Sequence, residues 1–261
     1  MMDVYTFHPG ILPLLLSVPH DGVQVPAEIK GRMTPEGQAL PDTDWHVAEL
    51  YDFARDLGAS MLVANYSRYV VDLNRPASDA DLYPGQLATG LCPLQTFAGK
   101  AIYTDGEVGV DEKAARLDRY WQPYHARIQS ELTAMRERHG YALLWDAHSI
   151  PSLVPRLFAD VLPELNLGTN DGKSSQPSLE AAVVGVVKAA GYSSAVNGRF
   201  KGGYITRHYG QPADGVHAMQ LEIAQRAYMN EDTGAFDATK AARLRVTLRA
   251  LLQAFVDAAE A

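Results

Sequence analysis

Cysteine is almost absent: Cys92 is the only one in 261 residues. A disulfide within the chain and a cysteine-based zinc site are both excluded. No run of Lys or Arg forms a basic stripe. Acidic residues outnumber basic ones, 31 to 23, for a net charge of −8. That balance argues against nucleic acid or an anionic membrane as the main partner. A small anionic substrate stays open, because a few local arginines reverse the field inside one pocket. The apolar stretch at 11–18 is too short to cross a bilayer. The first basic residue is Lys30, so the positive start of a secretory signal is missing, and a cytoplasmic protein is expected. Gly and Pro, 21 and 15 residues, stay below the level that marks low complexity.

What the chain does have is apolar patterning. Hydrophobic residues make up 47%, enough for a sizeable core. Residues 11–18 read as a buried strand ended by Pro19-His20-Asp21-Gly22. From Asp44 the spacing of Val47, Leu50, Tyr51, Ala54 and Leu57 predicts a helix stopped at Gly58. Residues 60–65 read as a second strand and 69–73 as a third extended piece. The stretch 76–109 is rich in Gly, Pro and Asp and has no period, which marks a functional or mobile loop. Leu117, Trp121, Tyr124, Ile128, Leu132 and Met135 form the clearest helical stripe, ended by Gly140. A strand at 141–145 then runs into Asp146-Ala147-His148-Ser149. Further strands are expected at 162–168, 193–196 and 218–223, with helices marked by Leu179 to Ala190 and Leu244 to Phe255. Strands apolar on both faces alternate with helices, the pattern of an α/β sheet covered on both sides. With no linker and no repeat, one domain over 1–261 is expected.

Three polar groups sit where apolar strands end: His20, His148 and Glu222. In open α/β sheets, ligands bind outside the carboxyl ends of the strands. A lone histidine is usually a hydrogen-bonded structural residue. Two of them, each just after an apolar strand, read better as ligands of a divalent metal such as zinc. Gln220 and Glu222 share one face of their strand, and a carboxylate there is costly unless paired or near a metal. Asp44 is a candidate third ligand, although an aspartate before a helical pattern reads first as an N-cap. Asp21 and Asp146 are the alternatives, and Asp146 also suits the role of orienting a ligand. Arg68, Arg75 and Arg207 are candidate anion clamps, since a guanidinium fork matches a carboxylate. The stretch Gly168-Thr169-Asn170-Asp171-Gly172-Lys173-Ser174 imitates a phosphate-binding loop. It has three residues between its glycines where that motif needs four, so it reads as a turn.

Taken in order, several stretches resemble the N-formylglutamate amidohydrolase family. They are 17–22 (SVPHDG), 42–45 (DTDW), 67–75 (SRYVVDLNR), 146–149 (DAHS), 168–174 (GTNDGKS), 202–207 (GGYITR) and 219–223 (MQLEI). The ordered set is specific, while any one piece alone is weak. The family is similar in fold to zinc carboxypeptidases and aspartoacylases. The resemblance therefore implies a phosphorylase/hydrolase-like three-layer α/β/α fold with a mostly parallel or mixed sheet. It also implies zinc-dependent deformylation of N-formyl-L-glutamate, a small anionic substrate, in histidine breakdown. In that reading zinc or another divalent metal sits on His20, Asp44 and His148. Glu222 is the general base, Arg68 polarises the scissile carbonyl, and Asn74 with Arg75 holds the α-carboxylate. Arg207, on a glycine-flanked loop, is the candidate for the γ-carboxylate. The carboxypeptidase pattern has a glutamate ligand three residues after the first histidine; here that position is Val23. A sister hydrolase acting on a larger acyl group or a C-terminal residue stays open, as does a non-catalytic binder of acidic amino acids. The intact His20, His148 and Glu222 argue against the binder.

Overall fold

A computed structural model describes residues 3–81 and 89–260. Seven strands form one mixed sheet: β1 (Tyr5–His8), β2 (Leu14–Val18), β3 (Ser60–Ala64), β4 (Ala142–Ile150), β5 (Leu165–Gly168), β6 (Ser194–Val196) and β7 (Val216–Ala224). Their order is β1-β3-β2-β4-β7-β5-β6. The central pairs β3–β2, β2–β4 and β4–β7 are parallel, whereas β1 on β3 and β5 on β7 are antiparallel. The chain leaves β2 for β3 on one side, while β4 lies on the other. The connections therefore diverge at the β2–β4 boundary, the switch point where a crevice opens beyond the strand ends.

Alternation along the strands separates two cores. Leu14, Leu16, Val18, Leu143, Trp145, Ala147, Met219, Leu221 and Ile223 face the helices Pro177–Ala189 and Ala238–Glu260. Leu15, Leu62, Ala142, Leu144 and Ala218 face the other way and pack on Tyr124, Ile128, Leu132 and Met135 of the Gln122–His139 helix. By the same period of two, Asp146, His148, Gln220 and Glu222 share the second face. The register sets His148 opposite Glu222 and Asp146 opposite Gln220.

Several elements differ from the sequence reading. Residues 69–73 form no strand. Val70 N–H donates to Ser67 O at 2.8 Å and Tyr69 N–H to Ser67 Oγ at 3.2 Å, so the chain turns there. The run is apolar because Tyr69, Val70, Val71 and Leu73 insert into the second core. The helix expected from Asp44 divides into Val47–Leu50 and Ala54–Leu57, broken where Tyr51 and Phe53 are buried. The segment before Gly140 is helical from Val110, with a π turn at Leu117–Trp121. Pro123 has no N–H to return along the helix, which favours that local widening. Of the stretch 76–109, residues 82–88 lie outside the described ones; the rest has no helix or strand. β1 and the short helix Tyr204–Tyr209 carried too little periodicity to be read beforehand.

Trp145 is fully buried at the sheet centre, donates to Tyr51 Oη at 3.1 Å and packs 6.0 Å from Phe255. Trp145→Ala is expected to lower unfolding free energy by about 3–5 kcal/mol in urea titrations. Val246→Ala, on the exposed side of the last helix, should stay within about 0.5 kcal/mol.

Candidate active site

The crevice beyond β2 and β4 collects side chains from five places. His20 follows β2, and Asp44 precedes the Val47–Leu50 helix. Asp146 and His148 end β4, Gln220 and Glu222 lie on β7, and the 67–75 segment supplies Arg68, Asp72, Asn74 and Arg75. Asp44 does not cap its helix with its side chain. Its Oδ2 accepts from Ser149 N–H at 3.0 Å and lies 3.1 Å from His148 Nδ1 and 3.8 Å from His20 Nδ1. Asp21 approaches the helix start instead, where its Oδ1 accepts from Ala48 N–H at 3.4 Å. The two imidazole centroids are 4.9 Å apart. Ligand atoms of His20, Asp44 and His148 all lie within 4.8 Å of one another.

This trio fits a divalent cation. Among the described residues, His20 Nδ1 and Asp44 Oδ1 are buried and find no hydrogen-bond partner. Two imidazoles and one carboxylate are a donor set that zinc accepts. The outer nitrogens are engaged, which fixes the rings. His20 Nε2 is 2.7 Å from Asp72 Oδ1, and His148 Nε2 is 3.0 Å from Asp146 Oδ1 and 2.9 Å from Asn74 Nδ2. A carboxylate behind a histidine orients the ring and leaves the other nitrogen facing a metal.

The charges are arranged unevenly. Burial raises the cost of ionising Asp72, yet Arg68 and His20 hold its carboxyl well below the usual range. Asp44 is also lowered, as burial is outweighed by His148, His20 and Arg68. Burial disfavours charge on His148, but Asp146 and Asp44 raise its pKa well above the ordinary value. Positive charge is thus favoured between these carboxylates, by a proton or a cation. Glu222 goes the other way: burial pushes its carboxyl up to about 8, with Asp44 and Asp146 adding to the effect. Gln220 Nε2 donates to Glu222 Oε2 at 3.3 Å, while Gln220 Oε1 accepts from Gly203 N–H at 2.7 Å. A Cβ on Gly203 would collide with the Asn74 amide, so only glycine lets the chain pass here.

The cleft is lined by His20, Asp44, Arg68, Asn74, Arg75, His148 and Glu222 from the sequence-derived set. Arg68 Nη2 is bound to Asp72 Oδ2 at 2.7 Å, with Cζ 4.8 Å over the Phe97 ring. Arg75 is fixed by Thr89 O, Thr89 Oγ1 and Asn74 O. Trp121, the last residue of the π turn, donates to Arg75 O at 2.9 Å. Arg207 is not among the described residues that line the cleft. It lies on the short helix Tyr204–Tyr209, and its Nε donates to Gly202 O at 2.7 Å. Sequence reading gave no role to Asp72, Gln220 or Arg199. For Asp72 the signal was its spacing of four from Arg68. For Gln220 it was the shared strand face with Glu222; Arg199 had none.

Beneath the site, His125 ties the Gln122–His139 helix to the residue before Asn74. Its Nε2 is 2.9 Å from Leu73 O and its Nδ1 2.9 Å from Tyr209 Oη. Burial lowers its pKa from 6.5 to about 3. Above pH 6.5 the ring is neutral in folded and unfolded chains alike. Between 6.5 and about 3 only the unfolded chain gains the proton, so stability falls with pH. The slope from this residue reaches roughly 1.4 kcal/mol per pH unit. Unfolding free energies measured between pH 7 and 4.5 should fall less steeply in His125→Gln than in the wild type.

The sequence profile of the N-formylglutamate amidohydrolase family matches residues 12–229. The chain is 49% identical to the N-formylglutamate deformylase of Pseudomonas putida over 259 residues, covering 98% of this chain and 97% of that one. Identity and coverage are the same for the N-formylglutamate deformylase of Pseudomonas aeruginosa. Among solved structures, the N-formylglutamate amidohydrolase from Ralstonia eutropha JMP134 superposes with a TM-score of 0.85 at 27% identity, over 98% of this chain and 99% of that one.

Proposed function

The chain belongs to the N-formylglutamate amidohydrolase family, and on that premise we propose that its cleft hydrolyses N-formyl-L-glutamate to formate and L-glutamate around a divalent metal. The observation that supports the metal is the convergence of His20, Asp44 and His148, with two of their ligand atoms buried and unpartnered. Zinc suits that donor set. When bound, such a cation supplies Lewis acidity toward water and carbonyl oxygen.

The remaining steps belong to the chain. Glu222, opposite His148 on the neighbouring strand, takes a proton from the attacking water as the new C–O bond forms at the formyl carbon. It then delivers that proton to the substrate nitrogen as the C–N bond breaks. Burial raises the affinity of this carboxyl for a proton above that of an ordinary glutamate, which suits it to draw one from water. Gln220 keeps it aimed. Arg68, held on Asp72, faces the developing oxyanion. Arg75, beside Asn74, receives the α-carboxylate. Asn74 itself is braced, with Nδ2 donating to Asp146 Oδ2 at 3.2 Å and Oδ1 accepting from Ile205 N–H at 2.8 Å.

Glu222→Gln should keep its fold and its metal content but lose roughly 10²–10⁴-fold in kcat, because the amide cannot carry the proton. Elemental analysis together with steady-state kinetics checks both halves; near-normal turnover in the metal-loaded variant removes Glu222 from the reaction. Asp44→Ala should lose most of its bound metal after gel filtration, and undiminished metal would count against Asp44 as a ligand.

A further inference from the structure

We propose that Arg199 selects for a negatively charged side chain on the substrate. This rests on the reading that the cleft hydrolyses N-formyl-L-glutamate, a molecule with two carboxylates at neutral pH. Three arginines line the cleft, against the carboxylates of Asp44 and Glu222, in a chain whose net charge is −8. Guanidinium groups that line a cleft are suited to a carboxylate ligand.

The three guanidinium groups are not equivalent. Arg68 is bound to Asp72 at 2.7 Å and lies 3.6 Å from Asp44, so its charge chiefly balances the buried carboxylates. Arg75 sits beside Asn74 in the 67–75 segment, on the side of the cleft given above to the α-carboxylate. Arg199 reaches the cleft from a different part of the chain, just beyond β6 and before the Tyr204–Tyr209 helix. Its Nε donates to Leu157 O at 3.0 Å, and its Cζ lies 5.3 Å over the Phe200 ring. Phe200 is in turn set edge-on to Phe158, with centroids 6.2 Å apart. Leu157 and Phe200 both line the cleft. The carbonyl and the ring fix the plane of the guanidinium, the condition for a two-point contact with a carboxylate. Arg207 has the same charge eight residues later, but its side chain is turned onto Gly202 O. Among the described residues, Arg199 is thus the cleft cation placed to meet the second carboxylate.

The test compares wild type, R199Q and R199K on N-formyl-L-glutamate and N-formyl-L-glutamine. These substrates are nearly the same shape and differ in carrying a charged carboxylate or a neutral carboxamide on the side chain. R199Q should lose roughly 10- to 100-fold in kcat/KM on the glutamate substrate, mostly through KM, and change little on the glutamine one. R199K, which keeps the charge but not the fork, should recover part of the loss. An unchanged glutamate-to-glutamine ratio in R199Q overturns the proposal, and so does an equal loss on both substrates in R199Q and R199K. Calorimetric titration of the same proteins with L-glutamate and L-glutamine keeps the two readings apart. A wild type that turns over neither formyl substrate overturns the proposed function. Arg199 is then judged by binding alone: L-glutamate weakened about tenfold or more in R199Q with L-glutamine unaffected supports it, and any other pattern overturns it.

Discussion

Asp44, Asp72, Asp146 and Glu222 are buried in one cluster, and a carboxylate taken out of water persists as an ion only where cations or hydrogen-bond donors reach it. Asp72 is met by Arg68, by His20 and by Asn74 N–H. Asp44 is met by Ser149 N–H and His148, with Arg68 close by. Asp146 is met by Asn74, Thr206 and His148. These partners come from the loop after β2, the 67–75 segment, the end of β4 and the Tyr204–Tyr209 helix. Satisfying the charges therefore holds the elements together at the mouth of the sheet. Loss of a single partner leaves an uncompensated charge, which is the costly event in such a network.

Glu222 departs from this pattern. Asp44 and Asp72 have strong positive neighbours that keep them ionised. Glu222 feels His148 and Arg68 as well, but its side-chain hydrogen bond is to the Gln220 amide at 3.3 Å, and burial prevails. Asp44 and Asp72 are thus lowered and Glu222 raised within one buried cluster. The distinction arises from what stands beside each side chain, because the chemical groups are alike.

Much of the site is legible in the sequence. His20, His148 and Glu222 stand at the ends of apolar strands, where a polar side chain needs a reason. Asp44 was ambiguous because a helix cap and a ligand carry the same local signature. The structure turns Asp44 Oδ2 toward His148, 104 residues away, and puts Asp21 at the helix start, so the Asp44 side chain is not the cap. The extended reading of 69–73 failed because apolar residues in a buried turn look like apolar residues in a strand. Composition records burial but not the hydrogen bonds that bend the chain.

The sequence by itself determined the α/β class, the central strands and main helices, and the polar residues set at strand ends. These follow from periods of two and 3.6, which record burial along a few successive residues. Only the tertiary structure decided partners. Strand order placed the switch point between β2 and β4, and register set His148 opposite Glu222. Asp72 reached His20 across 52 positions, and Arg199 rather than Arg207 lines the cleft. Such choices depend on how distant segments cross in space, and no local period carries that information.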